Sequence, residues 1–189
     1  MKKHPLLIAA MLLLWCHVPA RSQDMSAMLE LMQPGPEHEL LKKFAGNWDM
    51  SLKMWMPGQP EIVTTGTSTS RMILGGRFLE FTAESGTGDM FWESLTILGF
   101  DRRHKRYTSV GYDTWGTYYV TASGEYDAAK QQIKLYGEDD DPVMGMKQKY
   151  FFVFTWKDDN AFTLEVIFVD FPGVEDEEYK MIEINYRRR

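Results

Sequence analysis

The feature that most restricts this chain is how little sequence separates its strand-like segments. Between Asn47 and Arg187 such segments occupy residues 48–56, 61–74, 77–84, 90–100, 106–113, 117–126, 132–137, 147–156, 161–169 and 179–186, and what lies between them reads as short turns. A parallel neighbour needs a crossover of a dozen or more residues, usually a helix, and no connection here has room for one. Neighbouring strands are therefore expected to be antiparallel. About ten of them in a meander leave two open edges unless the sheet closes on itself. The fold class expected is all-β, an antiparallel up-and-down barrel of about ten strands with short N-terminal helices.

Local signals agree with that reading. Trp48, Met50, Leu52, Met54 and Met56 alternate with Asp49, Ser51 and Lys53, a period of two that turns one face of the first strand into a core. Gly75-Gly76 tolerates positive φ at both positions and predicts a hairpin. If Leu74 faces Arg77, then Met72 meets Leu79, Ser70 meets Phe81, and Arg71 meets Glu80 on the other side. Upstream, Met25, Met28, Leu29 and Met32 share one helical face that Pro34-Gly35-Pro36 ends, and residues 37–45 place Leu40, Leu41 and Phe44 together before Gly46. Both helices are too short to stand alone, so each is expected to lie against something apolar.

The N-terminus carries an address. Lys2 and Lys3 precede an apolar run from Leu6 to Trp15, and Ala20 and Ser22 offer small residues for cleavage, so residues 1–22 read as a signal peptide. The run is about half the roughly 20 residues of a membrane span, and no stable membrane anchor is expected. Cys16 follows Trp15, where lipid-modifying processing requires a small residue. Cleavage removes this single cysteine and leaves no disulfide. The expected organisation is a signal peptide at 1–22, a helical segment and linker at 23–36, and a barrel domain at 37–189, exported to the periplasm or the extracellular space. The formal charge of −6 becomes −9 without Lys2, Lys3 and Arg21. The basic clusters, residues 102–106 and 187–189, read as a turn and a tail, so nucleic acid is not an expected partner.

Several runs also carry a resemblance. Gly46-Asn47-Trp48, opening the first strand after a short helix, resembles the G-x-W signature of lipocalin-like (calycin) barrels. The stretch Arg71-Met72-Ile73-Leu74-Gly75-Gly76-Arg77-Phe78-Leu79-Glu80, then Leu98-Gly99-Phe100-Asp101 with Lys105 and Tyr107, then Asp139-Asp140-Asp141-Pro142, is similar to the bacterial domain-of-unknown-function family numbered fifteen seventy-nine. The resemblance spans about 37–187 and implies a calycin-like barrel; it supplies no catalytic residues. One departure stands out: where that family implies a Trp two residues before Asp113, this chain has Gly111, which either leaves space or marks a bulge.

A barrel of this size can enclose a small molecule, and an apolar or amphipathic ligand is the first functional expectation. Its wall is expected from Trp48, Met50, Leu52, Met72, Leu79 and Phe81, with Arg77, Tyr107, Tyr112 and Tyr119 as polar anchors. Plain core packing would produce the same alternation. The alternative is an enzyme using inward-facing tyrosines or carboxylates, the strand candidates being Glu80, Glu93, Asp113 and Glu183. No G-x-S-x-G occurs, and of the histidines only His38 and His104 follow the signal segment, both off the central strands, which argues against a triad or a His-ligated haem. The run Glu138-Asp139-Asp140-Asp141 lacks the spacing of a calcium loop and reads as an acidic turn. Met25, Met28 and Met32 read as a core-facing stripe in preference to a cuprous site. No cofactor is expected. Finally, residues 150–154 and 162–169 are apolar on both faces, which asks for a cover by the N-terminal helices or by a second copy in a homodimer. Light scattering at micromolar concentration separates these: a strict monomer excludes the second copy.

Overall fold

The computed structural model describes residues 25–142 and 144–189; the expected signal segment and Cys16 lie outside the described residues. The chain divides into two units, the second beginning at Gln33. In the first, helix α1 (Met25–Leu31) buries none of its residues, and the expected apolar face of Met25, Met28, Leu29 and Met32 is exposed.

The second unit opens with helix α2 (Pro36–Lys42), followed by ten strands: β1 (Gly46–Met54), β2 (Ile62–Ile73), β3 (Phe78–Ser85), β4 (Trp92–Asp101), β5 (Arg106–Asp113), β6 (Tyr119–Asp127), β7 (Gln132–Asp141), β8 (Met146–Asp158), β9 (Ala161–Val169) and β10 (Glu178–Arg188). Each pairs antiparallel with its sequence neighbours, and β1 pairs with β10 from Trp48↔Arg188 to Met54↔Ile182, so the sheet is a closed barrel. The β2–β3 register is the expected one, with Met72↔Leu79, Ser70↔Phe81 and Arg71↔Glu80. The turn is wider than two residues: Ile73 pairs with Phe78, and Leu74, Gly75 and Gly76 all take positive φ. Residues 138–141, expected as a turn, instead extend β7, because Glu138 pairs with Lys149 and Asp140 with Lys147 across the ladder. Opposite charges at facing positions relieve the repulsion within the acidic run.

One end of the barrel is sealed. Leu41 and Phe44 are fully buried there, and the Phe44 ring meets Phe154, Trp156 and Phe162 at 5.6, 4.3 and 4.9 Å. Helix C-termini leave carbonyls unpaired, and here three strands supply the donors. Trp48 Nε1 donates to Phe44 O at 2.9 Å, the Ser70 hydroxyl donates to the same oxygen, and Arg188 donates to Ala45 O at 2.9 Å and Lys43 O at 3.0 Å. The Arg188 guanidinium also lies 4.2 Å over the Trp48 ring. Gly46 has φ 146°, and a Cβ there would stand 2.4 Å from Arg188 Nη1. The first half of the G-x-W run is thus explained by the last strand.

On the outer wall, Val153 is buried between its cross-strand neighbours Lys134 and Glu165, and Lys134 Nζ sits 3.8 Å over the Phe151 ring. Lysine stems cover apolar surface while their charges remain in water. Replacing Arg188 by Met removes three hydrogen bonds from a charged donor, to Ala45 O, Lys43 O and Asp159 O, and is expected to cost about 2 kcal/mol in urea unfolding. Gly46→Ala is expected to destabilise the wild type more than the Arg188→Met background, since only the former retains the colliding guanidinium.

Candidate functional site

The register sorts every strand residue into one of two faces. Starting from buried Trp48, Met50, Leu52 and Met54, the pairings carry the inward face through Ser68, Leu79, Phe81, Leu98, Ser109, Ala122, Leu135, Phe154, Phe162 and Ile184. Expected wall residues Trp48, Met50, Leu52, Leu79 and Phe81 are on this face and buried; Met72 is on it and partly buried at the sealed end.

The expected polar anchors fall elsewhere. Tyr112 and Tyr119 pair with each other on the outer face, 48% and 58% exposed. With Thr69, Thr82, Glu84 and Leu95, Tyr112 lines a groove of about 570 Å³ on that outer side. Arg77 sits in the β2–β3 turn at the sealed end, donating to Leu74 O at 3.2 Å. These three assignments are therefore corrected: strand parity puts the two tyrosines outside, and the widened turn removes Arg77 from the strand. Tyr107 faces inward at the sealed end, where its hydroxyl donates to Glu37 O at 3.3 Å and burial, helped by the Glu37 carboxylate, pushes the phenol up to about 12. It is part of the seal. Of the carboxylates considered for catalysis, Glu80 pairs with Arg71 at 2.8 Å and Glu183 with Lys180, both on the outer face, and Glu93 is exposed there too. Asp113 alone faces inward.

Among the described residues of the second unit, no such helix covers the opposite end of the barrel. Val120, Phe152, Leu164, Phe168 and Ile182 face inward there and pack on the core, yet each keeps partial exposure. Gly111 belongs to the same region. It lies in unbroken register between Thr96 and Val120, so it marks no bulge, and an added Cβ would stand 3.3 Å from Val120 Cγ2, a contact that Val120 would have to yield to. Four polar atoms of inward-facing strand residues are buried without a partner: Trp92 Nε1, Ser109 Oγ and Gln148 Nε2, and, against Phe44 at the sealed end, Trp156 Nε1. Ser109 itself is only 4% exposed. Buried polar groups are nearly always paired, so each orphan asks for a water or a ligand.

The wall also opens. The β6–β7 ladder runs only from Asp127↔Gln132 to Ser123↔Tyr136; beyond it, residues 119–122 pair with β5 alone and 137–141 with β8 alone. At the point of separation Tyr150 reaches over Gly137, where a Cβ would stand 2.2 Å from the ring, and donates its hydroxyl to Thr121 O at 3.1 Å. Burial, with the nearby Asp139 charge, pushes the Tyr150 phenol up to about 12. None of Trp92, Ser109, Gln148 and Tyr150 was singled out from the sequence. The apolar run around Tyr150 hid which face was inward, and a lone Ser in a strand carries no pattern.

At the sealed end, His38 is buried at the start of α2, and its Nδ1 accepts the Gly35 N–H at 3.0 Å. Burial lowers its pKa from the ordinary value; Glu37 pulls the other way, while Arg102 and Arg77 add to the lowering. A protonated ring could not accept that bond. His104 lies in the β4–β5 turn, with Nδ1 2.7 Å from Asp101 Oδ2.

Comparison with known proteins supports the same frame. A family model described as "Protein of unknown function (DUF1579)" matches residues 33–188. No curated protein matches. Among solved structures, that of Rv2717c from M. tuberculosis aligns with a TM-score of 0.59 at 12% identity, covering 83% of this chain and 99% of that one. At that identity the likeness concerns the fold. Because the folded-state pKa of His38 is depressed, the unfolded chain binds a proton first as pH falls below the ordinary value of 6.5. Stability is expected to be full above that pH and to decline below it, and His38→Gln should flatten thermal unfolding midpoints measured between pH 7.5 and 5.5.

Proposed function

This chain belongs to the DUF1579 family of proteins of unknown function, and on that premise we propose that it is an exported barrel that binds a small, largely apolar molecule in the unsealed half of its interior. The observation that carries the reading is the partial exposure of inward-facing apolar side chains inside a closed sheet, together with the unpartnered Ser109 hydroxyl among them. Apolar cavities with a few fixed polar groups are the usual form of small-molecule sites. The gap between β6 and β7 offers a side entrance, and Tyr150 holds its inner corner.

Export rests on the sequence of residues 1–22. The inward set includes a single strand carboxylate from those considered for catalysis, Asp113, and no base stands beside it among the hydrogen bonds it makes, which favours binding over catalysis.

Binding is tested by fluorescence of N-phenyl-1-naphthylamine, a neutral apolar probe, added to the mature protein. The expected result is saturable enhancement that Gly111→Phe weakens at least tenfold, because the new ring projects into the lumen. Gly111→Ala, with an unchanged unfolding midpoint, is expected to bind the probe as the wild type does. Equal affinity of wild type and Gly111→Phe would place the probe outside the barrel and remove the proposal.

A further inference from the structure

Connections alternate between the two ends of the barrel, and their charges segregate. At the sealed end they carry Arg77, Arg102, Arg103, Lys105 and Lys130 against Asp159. At the unsealed end they carry Glu61, Asp89, Asp170, Glu175, Asp176 and Glu177, with no Lys or Arg. A mouth lined by one sign of charge over low-dielectric walls concentrates counter-ions of the other sign.

The interior continues this pattern. Parity puts Asp113 of β5 and Asp139 and Asp141 of β7 on the inward face at the mouth, and of these Asp113 and Asp139 stand exposed on either side of the β6–β7 gap. Each carboxylate uses one oxygen to accept a backbone N–H, Asp113 from Trp115 at 2.9 Å and Asp139 from Asp140 at 2.9 Å. Neither has an ion-pair partner among the described residues. The cation of the neighbouring hairpin, Lys147, lies on the outer face with Glu138 at 3.1 Å and Asp140 at 3.9 Å. Among the described strand residues, the inward face carries one Arg or Lys, Arg188, and that is committed to the seal. Ser94 faces Asp113 across the β4–β5 ladder, and deeper than these the β4 and β5 wall carries the hydroxyls of Thr96 and Ser109 between apolar neighbours. Ser109 Oγ is unpartnered in a residue only 4% exposed, and it is aimed into the same interior.

An anionic amphiphile would have to bring a further negative charge into a mouth that already holds several carboxylates. A neutral one would draw nothing from the field of this acidic mouth, whereas a cation is attracted by it. Resting on the binding function proposed above, we propose that the lumen takes an amphipathic cation, with an ammonium or amidinium-type head between Asp113 and Asp139 and an apolar body directed toward Ser109. The Ser109 hydroxyl then serves a polar atom on that body.

The test is competition against bound N-phenyl-1-naphthylamine by three ten-carbon compounds below their micellar range: decyltrimethylammonium, decanol and decanoate. In 20 mM salt the cation is expected to displace the probe at a concentration at least tenfold below decanol, and decanoate at the highest of the three. In Asp113→Asn/Asp139→Asn the amide oxygens keep both backbone acceptors, so folding is retained, and the cation's advantage over decanol is expected to collapse to less than threefold. Raising the salt to 300 mM should shrink it likewise. If all three compete equally, or decanoate competes best, the cation preference is wrong while lumen binding stands. A cation advantage that survives the double substitution also overturns it. If none displaces the probe, or the probe itself fails to bind, it is the binding function itself that falls.

Discussion

The rest of the structure depends on the hydrogen bonds that finish helix α2. The carbonyls just past its end, on Lys43, Phe44 and Ala45, receive donors from the first, second and last strands, and both bonds to Phe44 O are buried. Unpaired buried carbonyls would cost about 1–3 kcal/mol each. By taking Trp48 and Arg188 as its caps, the helix fastens the β1–β10 seam at the one place where the sheet joins residues far apart in sequence. Phe44 then drops into the ring as a plug, and Phe162 stacks between Trp48, Phe44 and Tyr186 behind it.

That concentration of aromatic packing at one end sets up the contrast with the other, even though Trp156 Nε1 and Glu37 Oε2 stay unpartnered within it. The sealed half contains large buried aromatics and a buried histidine with a defined tautomer, the arrangement of a core selected for packing. The unsealed half contains partly exposed apolar walls and the unpartnered polar atoms of Trp92, Ser109 and Gln148. Stability is thus invested at one end, and the other can depart from close packing without unfolding the ring. Departures of this kind are where function is usually found.

Much of the architecture was legible in the sequence because strand parity and turn chemistry are local. The alternation from Trp48 to Met54 gave its own inward face, and Arg71 opposite Glu80 followed from the glycine pair even though the turn proved four residues wide. The site was less legible because inward and outward are properties of the closed ring. Tyr112 and Tyr119 look like polar anchors until their parity is traced from Leu98 through Ser109, which puts them outside. Around Tyr150 both faces are apolar, so only the ladder to Gly137 identifies which side looks inward. The acidic run 138–141 misled for another reason: its partners, Lys147 and Lys149, lie across a hairpin, and a turn was the cheaper local reading.

The short β6–β7 ladder has a consequence for how copies of this protein meet. Two strand margins with free amides and carbonyls ordinarily invite a neighbouring molecule to add a strand. Here one margin is the stretch from Glu138 to Asp141, and a second copy offering the same stretch would bring carboxylates against carboxylates. Self-addition is thereby penalised, so the wall can stand open without turning the protein into a seed for fibrils.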